Sequence, residues 1–95
     1  HLDGQVSAVV GTHTHVQTAD EEVTALGTGY LTDAGCCGAW PSVIGFDPGA
    51  VLARFRTLRP HRYVPGQAPG RVEGVLFDLE RDGGRCLAVH TIRVA

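Results

Sequence analysis

Hydrophobic and polar residues alternate along the chain in a way that predicts short strands separated by polar or glycine-rich turns. Residues 6–10 are apolar apart from Ser7 and show little alternation, which is typical of a largely buried strand. Residues 27–32 predict a second strand, which leads into a glycine-rich loop over residues 33–38. The polar segment 18–22 between these strands predicts a loop.

One helix is predicted in the middle of the chain. Asp47 is suited to the N-cap position and Pro48 to the first helical position, where a missing backbone N–H is harmless. Pro60 cannot continue a helix and is expected to end it. The apolar stripe that would face a core comprises Val51, Leu52 and Phe55.

The last third of the chain predicts an antiparallel ending. Residues 61–64 are expected to form a strand, and residues 65–70, rich in Pro and Gly, a turn. Residues 71–80 predict a long strand, Asp82-Gly83 a hairpin turn, and residues 86–94 the returning strand. On the long strand one face becomes apolar with Val75, Phe77 and Leu79. The order of elements indicates an α/β fold with a mixed sheet packed on at least one helix.

Composition narrows the class of protein. The 95 residues suit one domain at most, and 43% hydrophobic with 19% charged residues suits a folded chain. The net charge of -2 gives no basic surface for nucleic acid, and no apolar run is long enough to span a membrane. Three cysteines without CxxC spacing argue against a disulfide framework, so we expect a reducing, cytoplasmic location.

The most informative segment follows the first predicted strand, where His13 and His15 are one residue apart. On extended backbone, positions i and i+2 face the same side, so both imidazoles would point into one space. Two neutral imidazoles in this arrangement suit a transition metal, although a bare HxH pattern is short enough to be two ordinary surface histidines.

Several blocks together resemble a known family. GTHTHVQT (residues 11–18), GTGYLTDAG (27–35) and SVIG (42–45) resemble the YmdB-like family of calcineurin-type metallophosphoesterases, in the family's order and at about its spacing. The resemblance implies a four-layer α/β/β/α sandwich with a site for two metal ions, usually iron or manganese. It also implies hydrolysis of phosphodiesters, including 2′,3′-cyclic and 3′,5′-cyclic nucleotides.

Carried over to this sequence, the resemblance implies that His13 is a ligand of one metal and His15 a ligand of the other. The family's remaining ligands and its general acid precede any segment present here, so no catalytic residue is assigned. The chain begins with His1 and contains no Met. We therefore expect residues 1–95 to be the C-terminal part of a single metallophosphoesterase domain, inactive without its N-terminal part.

Three residues near or beyond these motifs have no assigned metal role. The family usually has Met at the position of Cys36, which we interpret as a packing change. Asp33 is expected to cap its loop by hydrogen bonding, and His90 to be an ordinary strand residue on a half-exposed face.

Two alternatives to the enzyme remain open at this stage. One is a non-catalytic piece that binds a single metal weakly or serves in assembly, and the other is a small metal-binding domain unrelated to hydrolysis. If the chain is a fragment of the sandwich, its strands would lack half of their packing partners, so exposed apolar faces and strand edges would favour aggregation or self-association into homo-oligomers.

Overall fold

The computed structural model describes residues 1–95, which form six strands and one helix. In chain order these are β1 (Ala8–Val10), β2 (Glu22–Val23), β3 (Gly29–Leu31), β4 (Gly38–Ala39), α1 (Pro48–Thr57), β5 (Gly70–Leu79) and β6 (Cys86–Val94). The strands form two sheets of three, in the orders β1-β3-β2 and β4-β5-β6. The predicted mixed α/β class is therefore confirmed.

The first sheet is itself mixed, because β3 pairs in parallel with β1 and antiparallel with β2. Strand β1 is shorter than the predicted 6–10. The carbonyl of Val6 accepts from the Thr28 hydroxyl at 2.8 Å, so a side chain replaces the ladder partner there. Strand β2 overlaps the segment predicted to be a loop. Its two residues are exposed at a sheet edge and carry no apolar pattern that could have revealed them.

The closing hairpin is confirmed. Strands β5 and β6 pair from Val72 opposite Val94 to Phe77 opposite Val89, with one irregularity at Asp78/Leu79. The turn between them places Gly83 and Gly84 at φ 97° and 69°, a backbone conformation that glycine adopts without a steric penalty. On the predicted apolar face Val75 and Phe77 are half-buried, whereas Leu79 is 46% exposed.

Two predictions around the second sheet are corrected. Strand β4, not predicted, pairs with the start of β5. Residues 61–64, predicted to be a strand, instead run past the start of α1, where the Val64 carbonyl accepts from the Asp47 N–H at 2.8 Å. This segment connects α1 to β5 without forming a ladder, and an isolated bridge joins Phe46 to Pro65 just after it.

Helix α1 begins as predicted but ends early. The Asp47 side chain accepts from the Ala50 N–H at 2.9 Å, which is the expected N-cap, and Pro48 is the first helical residue. The helix ends at Thr57, because Leu58 takes a left-handed conformation and its N–H bonds to the Arg54 carbonyl. Of the predicted apolar stripe, Val51 is 3% exposed, but two members are not buried: Leu52 is 55% exposed and Phe55 66%.

The two sheets meet through a small core. Leu31 and Cys86 are fully buried between them, and the Cys86 N–H donates to the Gly27 carbonyl at 2.8 Å. Only 8 of the 95 residues are buried, and many large apolar side chains are exposed. The one helix, of ten residues, is too short to cross a membrane.

Candidate metal-binding loop and adjoining cavity

The segment that follows β1 is a bend rather than a continuation of the strand. Residues 13–16 form this bend, and His15 has φ 60°, in the left-handed region. The expectation that His13 and His15 share one side of extended backbone is therefore wrong. Both histidines are exposed, so their imidazoles are open to a ligand from solvent or from another chain segment.

Asp33 holds this bend from the loop that follows β3. Its carboxylate is fully buried and accepts from the Thr14 N–H at 2.5 Å, the Thr14 hydroxyl at 2.8 Å and the Gly35 N–H at 2.8 Å. The Gly35 N–H lowers the pKa of Asp33 below its ordinary value of 3.8, with help from Thr14 and against the effect of burial. The capping role expected for Asp33 is confirmed, and it extends to the residue between the two histidines.

Gln17 attaches the same segment to the second sheet. Its side-chain amide donates to the Gly74 carbonyl on β5 at 2.9 Å and to the Ile92 carbonyl on β6 at 3.0 Å. The loop that carries His13 and His15 is thus bonded to elements far along the chain. Sequence reasoning missed this role, because a single glutamine in a loop carries no local pattern.

A buried ion-pair cluster lies on the other side of the loop. The Glu73 side chain is 2% exposed and contacts Arg71 at 2.8 Å and Arg93 at 2.9 Å. It also accepts from the Cys36 N–H at 3.1 Å, which fixes the chain after Asp33. The alternation of Arg71 and Glu73 on one strand face was the available sequence signal for this cluster, which sequence reasoning did not identify.

A cavity of about 280 Å³ opens beside His15. Its wall is formed by the bend itself, by the loop after β3, by β4 and by the turn at residues 42–45. Arg71 and Trp40 also line the cavity, and the Arg71 guanidinium carbon lies 3.4 Å from the centroid of the Trp40 ring. The cavity was not expected from the sequence, since its wall residues are spread widely along the chain.

A metal ion needs more donors than this loop provides. No three His, Cys, Asp or Glu side chains of the chain are grouped so that they could hold a metal ion. The Asp33 carboxylate already accepts three hydrogen bonds. Cys36 lies in the cavity wall and is part of no group of three possible ligands. The chain therefore offers the exposed imidazoles of His13 and His15, but no group of three ligands of its own.

The remaining candidates are peripheral. His90 is exposed on β6, as expected for a strand residue, and lies 3.3 Å from the Asp78 carboxylate. The three cysteines are free, and Cys86 is buried in the core between the sheets.

Comparisons with known proteins all point to the same family. A model of the family described as "YmdB-like protein" matches residues 1–92. A 2′,3′-cyclic-nucleotide 2′-phosphodiesterase from Bacillus subtilis is 36% identical over 94 residues, which are 99% of this chain and 36% of that protein. A putative phosphatase/phosphodiesterase from Mycoplasma pneumoniae is 32% identical over 98% of this chain and 34% of its own length.

Solved structures agree with these relatives. A hypothetical protein from Thermus thermophilus superposes with a TM-score of 0.86 at 41% identity, over 98% of this chain and 36% of that one. A novel phosphatase from Mycoplasma pneumoniae superposes with a TM-score of 0.90 at 32% identity, over 98% and 34%. The chain thus spans about a third of the length of the relatives it matches. The match over residues 1–92 and these similarities establish that the chain belongs to the YmdB-like family.

Proposed function

We propose that this chain is the C-terminal part of a metal-dependent phosphodiesterase that hydrolyses cyclic nucleotides. The observation that carries the proposal is the pair His13 and His15, exposed on one bend that Asp33 and Gln17 fix, in a chain of this family. The relative from Bacillus subtilis, named for 2′,3′-cyclic-nucleotide hydrolysis, favours the same substrate class. The second candidate substrate is a 3′,5′-cyclic nucleotide.

His13 and His15 would each contribute an imidazole to one of two metal ions, iron or manganese. Such ions, when bound, polarise phosphoryl oxygens and supply hydroxide at neutral pH. The chain's own contribution is positional. The buried carboxylate of Asp33 fixes Thr14 between the two ligands, so the imidazoles are presented from a backbone that does not need to reorganise.

The proposal includes a covering segment from the rest of the domain. Leu52, Phe55 and Leu58 are 55%, 66% and 88% exposed along one helix and its C-cap, which leaves an apolar surface in water. A further layer of the four-layer sandwich would bury this surface and bring the other metal ligands. Because the three cysteines have no CxxC spacing, we propose that the enzyme works in the reducing cytoplasm. We also propose that the protein self-associates wherever these apolar faces stay uncovered.

The test uses single substitutions in the protein that contains this chain. His13→Ala or His15→Ala is expected to lower hydrolysis of a 2′,3′-cyclic nucleotide about a hundredfold or more, because each removes a metal ligand. His90→Ala is the matched control, since it removes an exposed histidine outside the bend and should keep the wild-type rate. Wild-type rates in both bend variants would exclude these residues from the site.

The isolated 95-residue chain provides a second measurement. With manganese and a 2′,3′-cyclic nucleotide it should show no appreciable turnover, because two imidazoles cannot hold two metal ions. Metal-dependent turnover that disappears in His13→Ala would show that this chain holds the whole site, contrary to the proposal. Unchanged manganese binding in His13→Ala and His15→Ala would show that neither imidazole is a metal ligand.

A further inference from the structure

The cavity beside His15 has the size and lining of a site for one flat, uncharged ring. Its volume of about 280 Å³ is just below the range of roughly 300–1,000 Å³ that holds drug-sized ligands. Its wall is predominantly apolar, with Val16, Val43 and Ile44 beside the Trp40 ring. We propose that this cavity binds the base of the nucleotide substrate, with the base stacked on Trp40; this rests on the function proposed above.

Trp40 is arranged as a stacking platform. The Arg71 guanidinium lies against one face of the indole, 3.4 Å from its centroid, while 51% of the Trp40 surface remains exposed. Arg71 is itself held by the buried Glu73 carboxylate at 2.8 Å. Because Arg71 holds the indole, a second planar group can stack on the part of the ring that stays exposed without the ring first becoming ordered.

Ser42, a polar residue at the wall, is already bonded to the protein. The Ser42 hydroxyl donates to the Ala39 carbonyl at 2.6 Å and accepts from the Gly45 N–H at 2.9 Å. Arg71 is held by Glu73, which it shares with Arg93, so its guanidinium is fixed in place at the wall. The apolar part of the wall favours the base over the phosphate and recognises it by stacking rather than by reading its edge, so base identity should matter little.

The position of His15 links the cavity to the proposed metal ligands. His15 contributes to the cavity wall and lies on the bend with His13. A nucleotide whose base occupies the cavity would have its ribose and cyclic phosphate next to His15. His15 is thus the residue that the proposed base site and the proposed metal ligands share.

Trp40 is the only tryptophan of the chain, so its fluorescence reports directly on this site. Adenosine, which has no phosphate, should quench the Trp40 emission of the chain in a saturable titration, and methyl riboside, which has no base, should not. Absence of saturable quenching by adenosine, or equal quenching by methyl riboside, would overturn the proposal. Neither measurement requires metal or hydrolysis.

A kinetic test separates base recognition from chemistry. The measured quantity is kcat/KM for adenosine 2′,3′-cyclic phosphate divided by kcat/KM for the base-free methyl riboside 2′,3′-cyclic phosphate. Trp40→Ala should lower this ratio about tenfold, because stacking on an aromatic ring favours the base-bearing substrate by that order. Trp40→Phe should restore most of it.

Leu87→Ala is the control, since it removes an exposed apolar side chain outside the cavity and should leave the ratio unchanged. An unchanged ratio in Trp40→Ala would overturn the base site even if hydrolysis persists. Wild-type hydrolysis in His13→Ala and His15→Ala would overturn the proposed function alone, because quenching by adenosine still decides whether the base binds.

Discussion

At the scale of single residues, the candidate site depends on carboxylates that hold backbone rather than on carboxylates that bind a ligand. Asp33 satisfies the N–H groups of Thr14 and Gly35, and Asp20 satisfies the N–H and hydroxyl of Thr32 at the end of β3. Hydrogen bonds to an ionised group are stronger than neutral ones and depend on the charge. Asp33 therefore stabilises the bend that carries His13 and His15, and Asp20 stabilises the segment that follows this bend.

Replacement of Asp33 should loosen the bend that carries the histidines. In Asp33→Ala the amides of Thr14 and Gly35 lose their acceptor, so their hydrogen exchange should accelerate about tenfold or more. The Gly27 amide, which donates to the Thr24 carbonyl, is an internal control that should be nearly unaffected. Unchanged protection of Thr14 would show that Asp33 does not position the bend.

Asp20 should titrate below its ordinary range. The hydroxyl groups of Thr18 and then Thr32 lower the pKa of Asp20 below 3.8, and the Thr32 N–H adds to this. Because the folded pKa is lower than the unfolded one, the stabilisation is present above pH 3.8 and is lost as the pH falls through the folded pKa.

An NMR titration of the Asp20 carboxyl checks this. Thr32→Val should raise its pKa toward 3.8, and it is the cleaner variant because the Thr18 hydroxyl also accepts from the Asp33 N–H. Thr91→Val, on exposed β6, should leave it unchanged. A pKa at or above 3.8 in the unmodified protein would contradict the prediction.

At the scale of elements, β3 of the first sheet lies close against the hairpin of the second. A Cβ at Gly29 would lie 2.6 Å from the Phe77 ring and 2.7 Å from the Cys86 sulfur, closer than side chains tolerate. Glycine at this position therefore permits the contact between β3 and the hairpin.

Gly29→Ala should accordingly destabilise the protein. Overpacking of a filled core costs about 1–3 kcal/mol of unfolding free energy, because Phe77 or the backbone must shift. Gly74→Ala in β5 is a matched control, as a Cβ there has no atom within 4 Å and the substitution should be nearly neutral or slightly stabilising. Urea unfolding of both variants provides the comparison, and equal midpoints would refute the close contact.

At the scale of the whole molecule, the chain is extended for its length. Its radius of gyration is 17.4 Å, whereas a compact domain of this size has about 12 Å. With 8 buried residues among 95, apolar burial alone stabilises it little. The long-range polar contacts of Gln17 and Glu73 therefore carry an unusual share of the connection between its parts.

Loss of Glu73 should separate these parts. Glu73→Ala leaves Arg71, Arg93 and the Cys36 N–H without their shared acceptor, and should cost about 2–3 kcal/mol of unfolding free energy. Asp78→Ala, whose contact with His90 is more than half exposed, should change it by at most about 0.5 kcal/mol. Thermal unfolding of Glu73→Ala and Asp78→Ala at one protein concentration distinguishes the two effects. Similar decreases of Tm in both variants would contradict a structural role for the buried cluster.

The sequence by itself determined the features whose causes are local. Asp47 and Pro48 define the start of α1, Asp82-Gly83 lies in the turn of the hairpin, and the blocks around His13 indicate the family. Caps, turns and alternating strands depend on neighbours a few residues apart, so their patterns can be read directly. The end of α1 at Thr57 was not predictable from Pro60, because a left-handed Leu58 ended the helix first.

Only the tertiary structure decided how the candidate site is built. It showed that the histidines lie on a bend, that Asp33 and Gln17 fix that bend, and that Trp40 and Arg71 form a cavity beside His15. It also left Leu52 and Phe55 exposed, where amphipathic spacing had predicted burial. These outcomes depend on contacts between residues far apart in sequence, and burial requires a packing partner that helical periodicity cannot supply.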